Sequence, residues 1–334
     1  MDYVLLIIGF IILIKGADLF VDGSVLISEH YGIPSLIIGM TVVAMGTSAP
    51  EAAVSITAAV GGSNGIAVGN VLGSNMFNLL IVLGVAALIR PLPVGKSVLK
   101  VELPLSMVAA ALLPILALDF FTKDGSPFLS RLDGAVFLVL FIIFLLLTVR
   151  SARKQAAEHE KLPDPAAKDK DGDTFLGRDP LPDKKKNRLS KGLLLVLIGL
   201  AGVVIGGRMV VYSASNIAES FGIDQTLIGL TIVAIGTSLP ELVTSIVAAT
   251  KGETDIAVGN VVGSNIFNIL FVLSLSVIVN PITVRFVSLM DSIILLGVSA
   301  VALVVFLISR RLNRAWGFIF ILMYVAYTVY IFLR

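Results

Sequence analysis

Cysteine is absent from the 334 residues, which excludes disulfides, thiol nucleophiles and cysteine-ligated metals. His30 and His159 are the only histidines, too few for a histidine-held zinc or haem centre. Charge is scarce as well. Charged residues make up 14% of the chain, against about 25% in ordinary soluble domains, and hydrophobic residues make up 57%. A chain so poor in charge must place most of its surface against lipid or inside a helical bundle, so the sequence predicts an all-α polytopic membrane protein.

What the chain has in abundance is long apolar runs. They lie near Tyr3 to Ile27, Ser35 to Val60, Ile66 to Ile89, Val101 to Leu118 and Phe128 to Val149. A second set covers Lys191 to Ile217, Thr226 to Thr250, Ile256 to Val279, Val287 to Ile308 and Trp316 to Leu333. These are ten candidate spans of roughly 17 to 25 residues, helices rather than barrel strands. The first lacks a basic start and a small-residue cleavage site and carries Lys15 and Asp18, so it reads as a retained helix. Asp18 and Asp22, one turn apart on it, read as residues near its end or as partners of Lys15.

Between the two sets, residues 151–190 are rich in Lys, Asp, Glu and Pro, the composition of a solvated tether. The acidic run Asp169 to Asp173 within it lacks calcium-loop spacing, because Ala167 and Arg178 would hold the end positions. The expected organisation is a five-helix repeat over residues 1–150, a hydrophilic linker over 151–190 and a second repeat over 191–334. Arg90, Lys96, Lys100, Arg150, Arg153, Lys154, Arg310, Arg311 and Arg314 all fall on odd-numbered connections. By the positive-inside rule that side is cytoplasmic, which puts the linker inside the cell and both termini outside, in a multi-pass cell (inner) membrane protein. The net charge of +2 gives no nucleic-acid signature. No protein partner is evident, so the bilayer and small cations are the partners expected.

The two sets are copies of one another. At an offset of about 190, residues 39–80 align without gaps on residues 229–270 and are identical at roughly 26 of 42 positions. Gly46-Thr47-Ser48-Ala49-Pro50-Glu51 returns as Gly236-Thr237-Ser238-Leu239-Pro240-Glu241, and Gly69 to Asn78 returns as Gly259 to Asn268. Five spans is an odd number, so the second copy enters the membrane from the opposite side: an inverted repeat. Ser-x-Pro-Glu is a helix-start signal with the pattern of a capping box, yet here it falls in the middle of an apolar run. Helices 2 and 7 are therefore expected to be discontinuous. Gly69 and Gly73 form a small-xxx-small surface for close helix approach.

A proline at 50 or 240 leaves the carbonyl four residues earlier without its helical donor, and freed carbonyls beside Thr and Ser hydroxyls are cation ligands. Glu51 and Glu241 add charge at the start of a half-helix, where the dipole favours a carboxylate. With Ser74, Asn78, Ser264 and Asn268 from the third and eighth spans, the set is all oxygen. It suits a hard cation of flexible coordination, calcium more than magnesium, and sodium can use the same oxygens. Neither a nucleophile–base pair nor a histidine cluster is present, so the chain reads as a secondary transporter and not an enzyme, with no catalytic residue and no cofactor.

These motif blocks, duplicated in opposite halves, resemble the alpha repeats of the sodium/calcium exchanger superfamily, with the YrbG-type prokaryotic calcium/sodium antiporters as the branch most alike. The resemblance implies that Glu51 and Glu241 are central calcium ligands with backbone oxygens of Thr47 and Thr237. It also implies that Ser48, Ser238, Ser74, Ser264, Asn78, Asn268 and the carbonyls of Ala44 and Ala234 complete adjoining sodium sites. The first and sixth spans would slide across the remainder to alternate access. One departure stands out: well-known exchangers of this superfamily carry an Asp at the position of Asn268, and here both 78 and 268 are amides. The expectation is calcium/sodium antiport at a single midplane site. Calcium/proton exchange carried by the two glutamates, potassium-dependent exchange and a cation channel are the competing readings.

Overall fold

The computed structural model describes residues 1–95, 98–119, 126–160, 182–222 and 234–333. The acidic run of the tether and the start of the seventh span lie outside them. The described chain is almost entirely helical. Eight unbroken helices are long and apolar enough to cross a membrane: Asp2–Tyr31, Gly65–Ile89, Val98–Leu118, Arg131–Arg153, Arg188–Ser220, Thr254–Val279, Phe286–Ser309 and Arg314–Leu333. A ninth span is a bent pair, Ser35–Thr47 and Ala49–Val60, turning by 48°. The described part of the seventh span repeats this break, with Ala234–Thr237 and Leu239–Lys251 on either side of Ser238. At the fifth span the sequence placed Phe128 and Leu129 in the helix; they form a strand, and the helix starts at Arg131.

Two short antiparallel ribbons fix how the halves run. β1 (Leu92–Pro93) pairs with β4 (Arg311–Leu312), and β2 (Phe128–Leu129) pairs with β3 (Ile282–Thr283). β3 precedes and β4 follows the 24-residue ninth span, so the ribbons sit at opposite ends of a helix about 36 Å long. The third span ends next to β1 and its sequence copy, the eighth, ends next to β3. The two equivalent helices therefore run in opposite directions.

Packing falls into two zones. The third and eighth spans are the most enclosed helices and form the centre with the broken spans. The first and sixth spans pack along most of their length against each other. Their contact is a glycine seam. A Cβ on Gly16 would lie 2.6 Å from the Val203 nitrogen, on Gly199 2.4 Å from the Phe20 nitrogen, and on Gly206 2.4 Å from the Leu13 nitrogen. With no hydrophobic drive between helices in lipid, such backbone approach supplies the dispersion contact that holds them. Gly259 and Gly263 are used in the same way against the carbonyls of Leu36 and Met40, at 2.6 and 2.5 Å. Gly69 and Gly73 meet no described atom within 4 Å, and their repeat-related partners at 226–230 lie outside the described residues.

Asp18 and Asp22 have a partner the sequence did not indicate. Lys251, at the end of the seventh span, places its Nζ 2.7 Å from Asp18 Oδ1 and 2.6 Å from Asp22 Oδ1, and also donates to the Asp18 carbonyl at 3.0 Å. Lys15 is nearer in sequence but belongs to the same helix as both acids, whereas Lys251 ties the first span to the seventh.

The glycine seam is directly testable. Gly16→Ala should lower stability by about 1–3 kcal/mol, because the new methyl meets backbone that cannot move aside. Gly297→Ala, on the exposed side of the ninth span with no described atom within 4 Å, should leave it unchanged or slightly raised. Thermal denaturation of the purified protein in detergent reads both, and equal midpoints for the two variants would contradict the seam.

Candidate functional site

The helix-start motif does something other than cap its own helix. A capping box in this chain looks like Ser130-x-x-Asp133. There the Asp133 carboxylate accepts from the Ser130 amide at 2.7 Å, and the Asp133 amide points back to the Ser130 hydroxyl at 3.4 Å. Ser48 and Glu51 have the same spacing, but Ser48 makes no cap with its side chain. Its hydroxyl donates instead to Glu241 Oε1, 2.7 Å away and 193 residues distant. Ser238 reciprocates, donating to Glu51 Oε1 at 3.0 Å. The capping-box reading is therefore corrected: the serines and glutamates are exchanged between the copies.

The backbone makes this exchange possible. Ser48 (φ −82°, ψ 8°) and Ser238 (φ −92°, ψ 6°) leave the helical region for one residue, and Pro50 and Pro240 sit in the first turn that follows. Each Glu thus occupies the third position of a fresh half-helix, where unpaired N–H groups favour a carboxylate. Both glutamates are wholly buried, as are both serines. Among the described residues neither carboxylate has a basic partner, and Glu51 Oε2 and Glu241 Oε2 have no hydrogen-bond partner.

A second ring of side chains holds the breaks. Asn70 Nδ2 donates to the Glu51 carbonyl at 3.3 Å and to Ser55 Oγ at 2.9 Å. Asn260 Nδ2 does the same for the Glu241 carbonyl at 3.3 Å and Ser245 Oγ at 3.0 Å. Their oxygens accept across the repeat, from Thr47 Oγ1 to Asn260 Oδ1 at 3.0 Å and from Thr237 Oγ1 to Asn70 Oδ1 at 3.5 Å. Asn70 and Asn260 stand in the motif block but were not expected at the site. The signal was available: a repeated Asn placed one turn before the repeated Ser74 and Ser264 shares their helix face.

The remaining expected ligands divide. Ser264 Oγ joins the centre, 3.4 Å from the Ala44 carbonyl and 3.5 Å from Glu241 Oε1. The Ala44 carbonyl also accepts from Thr47 Oγ1 at 3.3 Å and from the Ser48 amide at 3.0 Å, so an ion bound there displaces hydroxyls. Ala234 lies in the described helix Ala234–Thr237 of the second copy. Ser74, Asn78 and Asn268 are buried, yet none is bonded to either glutamate. Among the described residues Ser74 Oγ, Asn78 Oδ1 and Asn268 Oδ1 have no partner. Asn78 and Asn268 each open a π-helical turn, Asn78–Val82 and Asn268–Leu273, and a π turn inserts one residue and often marks a functional position. The turn at Asn78 packs against Leu239–Lys251 and the turn at Asn268 against Ala49–Val60, in each case the glutamate half-helix of the other copy.

Two buried carboxylates with hydroxyl, amide and carbonyl oxygens, several of them unpartnered, form a site whose charge matches one divalent cation. Among the described residues no group of three or more His, Cys, Asp or Glu side chains forms a metal cluster.

The sodium/calcium exchanger protein family matches residues 1–150 and 191–333. The inner membrane protein YrbG of Escherichia coli K12 is 42% identical over 83% of this chain and 79% of its own length. The sodium/calcium exchanger MaX1 of Methanosarcina acetivorans is 32% identical over 99% of this chain and 98% of its own. Among solved structures, the sodium-calcium exchanger NCX_Mj superposes with a TM-score of 0.80 at 30% identity, covering 99% of this chain and 98% of that one.

If Asn70 and Asn260 hold the broken helices, replacing either with Asp removes the donor while keeping the size. Each variant should lose about 1–3 kcal/mol of stability, the cost of an unpaired buried polar group. The loss should be larger at 260, which is fully buried, than at 70, which is partly exposed. Melting temperatures of the purified variants check this, and unchanged values for both would remove these residues from the frame of the site.

Proposed function

Because the chain belongs to the sodium/calcium exchanger protein family, a family of cation transporters, we propose that it exchanges calcium for sodium as a secondary antiporter. One observation carries the reading: Glu51 and Glu241 are both fully buried, come from opposite halves, and are held by each other's serines. Buried carboxylates without basic partners are expensive, and a cation that enters and leaves gives them a counter-charge in turn.

In this mechanism calcium sits between Glu51 and Glu241, with backbone oxygens of Thr47 and Thr237 completing the coordination. Sodium ions take the flanking oxygens of Ser48, Ser238, Ser74, Ser264, Asn78 and Asn268 with the carbonyls of Ala44 and Ala234. The central spans stay fixed. The first and sixth spans, joined along their glycine seam, move as one unit and open the site to one side of the membrane at a time. The linker faces the cytoplasm and both termini face out. Residues 1–150 and 191–334 form the two inverted repeats.

One observation favours a second reading. With amides at both 78 and 268, the expected ligand set carries two carboxylates, so two protons on Glu51 and Glu241 can replace one calcium without net charge movement. Proteoliposomes decide between them. Calcium uptake into sodium-loaded vesicles should exceed uptake driven by a proton gradient alone, and uptake that follows the proton gradient and ignores sodium overturns sodium coupling.

The carboxylates are tested separately. Glu51→Gln and Glu241→Gln should each reduce exchange by about a hundredfold or more, in line with the ~3–5 kcal/mol lost when a buried charge is stripped of its partner. Near-normal flux in both variants would displace the site from these residues.

A further inference from the structure

Between the third and eighth spans lies a chain of amides whose orientations are forced. Asn75 Nδ2 donates to the Asn265 carbonyl at 3.1 Å, and Asn265 Nδ2 donates to the Asn75 carbonyl at 3.3 Å. A backbone carbonyl only accepts, so each bond fixes which end of the amide is nitrogen. Asn75 Oδ1 is thereby committed as an acceptor, and Asn268 Nδ2 donates to it at 3.2 Å. Asn268 must then keep its nitrogen toward Asn75, which leaves its own Oδ1 buried and unpartnered. The equivalent link is not made among the described residues: Asn265 Oδ1 and both polar atoms of Asn78 are buried there without a partner.

We propose that Asn75 is a positioning residue that makes position 268 a neutral ligand, admitting an amide there and rejecting a carboxylate, while position 78 accepts either. A carboxylate at 268 would set an oxygen against Asn75 Oδ1, two acceptors with no proton between them. Asn75 cannot turn to offer its nitrogen without giving up the Asn265 carbonyl. At position 78, among the described residues, neither polar atom of the amide has a hydrogen-bond partner, so no acceptor is bonded there to oppose an acid. The consequence for the proposed exchange, on which this inference rests, is that the negative charge of the site is set by Glu51 and Glu241 and can be raised only through position 78.

The matched pair Asn78→Asp and Asn268→Asp tests it, since both add one carboxylate at equivalent places. Sodium-driven uptake of radioactive calcium should be at least about tenfold lower for Asn268→Asp than for Asn78→Asp. Asn75→Ser supplies a hydroxyl that can donate or accept, so Asn268→Asp made in that background should cost no more than about threefold relative to Asn75→Ser alone. Asn75→Thr serves the same purpose if the serine variant does not purify. Melting temperatures of the same proteins in calcium-free detergent should show the same pattern: a drop for Asn268→Asp that the hydroxyl at 75 abolishes. Equal effects of the two aspartates, or no relief from the hydroxyl, would overturn the proposal. If the unmodified protein shows no sodium-driven uptake the exchange reading fails, and the melting temperatures still decide the role of Asn75.

Discussion

The structure depends on a trade of hydrogen bonds between two copies of one motif. Ser48 gives its proton to Glu241 and Ser238 gives its proton to Glu51. In a soluble helix the same four residues would close two local capping boxes, as Ser130 and Asp133 do in this chain. In the membrane centre the local solution would leave each glutamate turned back on its own helix with nothing to face. The crossed solution brings both carboxylates into one place and requires the halves to run in opposite directions. Ribbons β1–β4 and β2–β3, at opposite ends of the ninth span, hold the halves in that relation.

Around this centre, rigidity and mobility are separated by residue size. Glycines let the second span pack its backbone against the eighth, and polar side chains then fix the breaks, with Asn70 and Asn260 each holding a glutamate carbonyl. The first and sixth spans join through glycines of their own. Their ties to the centre include the ion pairs of Asp18 and Asp22 with Lys251. Half-exposed ion pairs of this kind contribute little, on the order of 1 kcal/mol or less. The first and sixth spans thus form one closely packed pair, with Phe20, Val21, Ile27 and Val196 joining it to the main core.

Much of this was legible in the sequence because the constraint that produced it is coarse. Scarce charge and ten apolar runs gave the fold class, and the repeat at an offset of about 190 gave the equivalence of the halves. The misplaced Ser-x-Pro-Glu motif located the helix breaks. Partner choice was not legible. Spacing says that Ser48 can reach Glu51, and only three dimensions show that it reaches Glu241. For the same reason Lys15 was the natural partner for Asp18 and Asp22 until Lys251 was seen beside them. The π turns at Asn78 and Asn268 were also hidden, because one inserted residue leaves no mark on an apolar pattern. Asn70 and Asn260 were visible as letters of the motif, but their task of holding carbonyls cannot be read from composition.

The exchange of serines and glutamates also sets an order of events during synthesis. Ser238 leaves the ribosome 187 residues after Glu51, which at about 5–20 residues per second is an interval of roughly 10 to 40 s. Throughout it the first copy has its acid without the hydroxyl that holds it in the finished fold. Arrival of the seventh span, rather than completion of the first five, is the step that lets the centre of the molecule close.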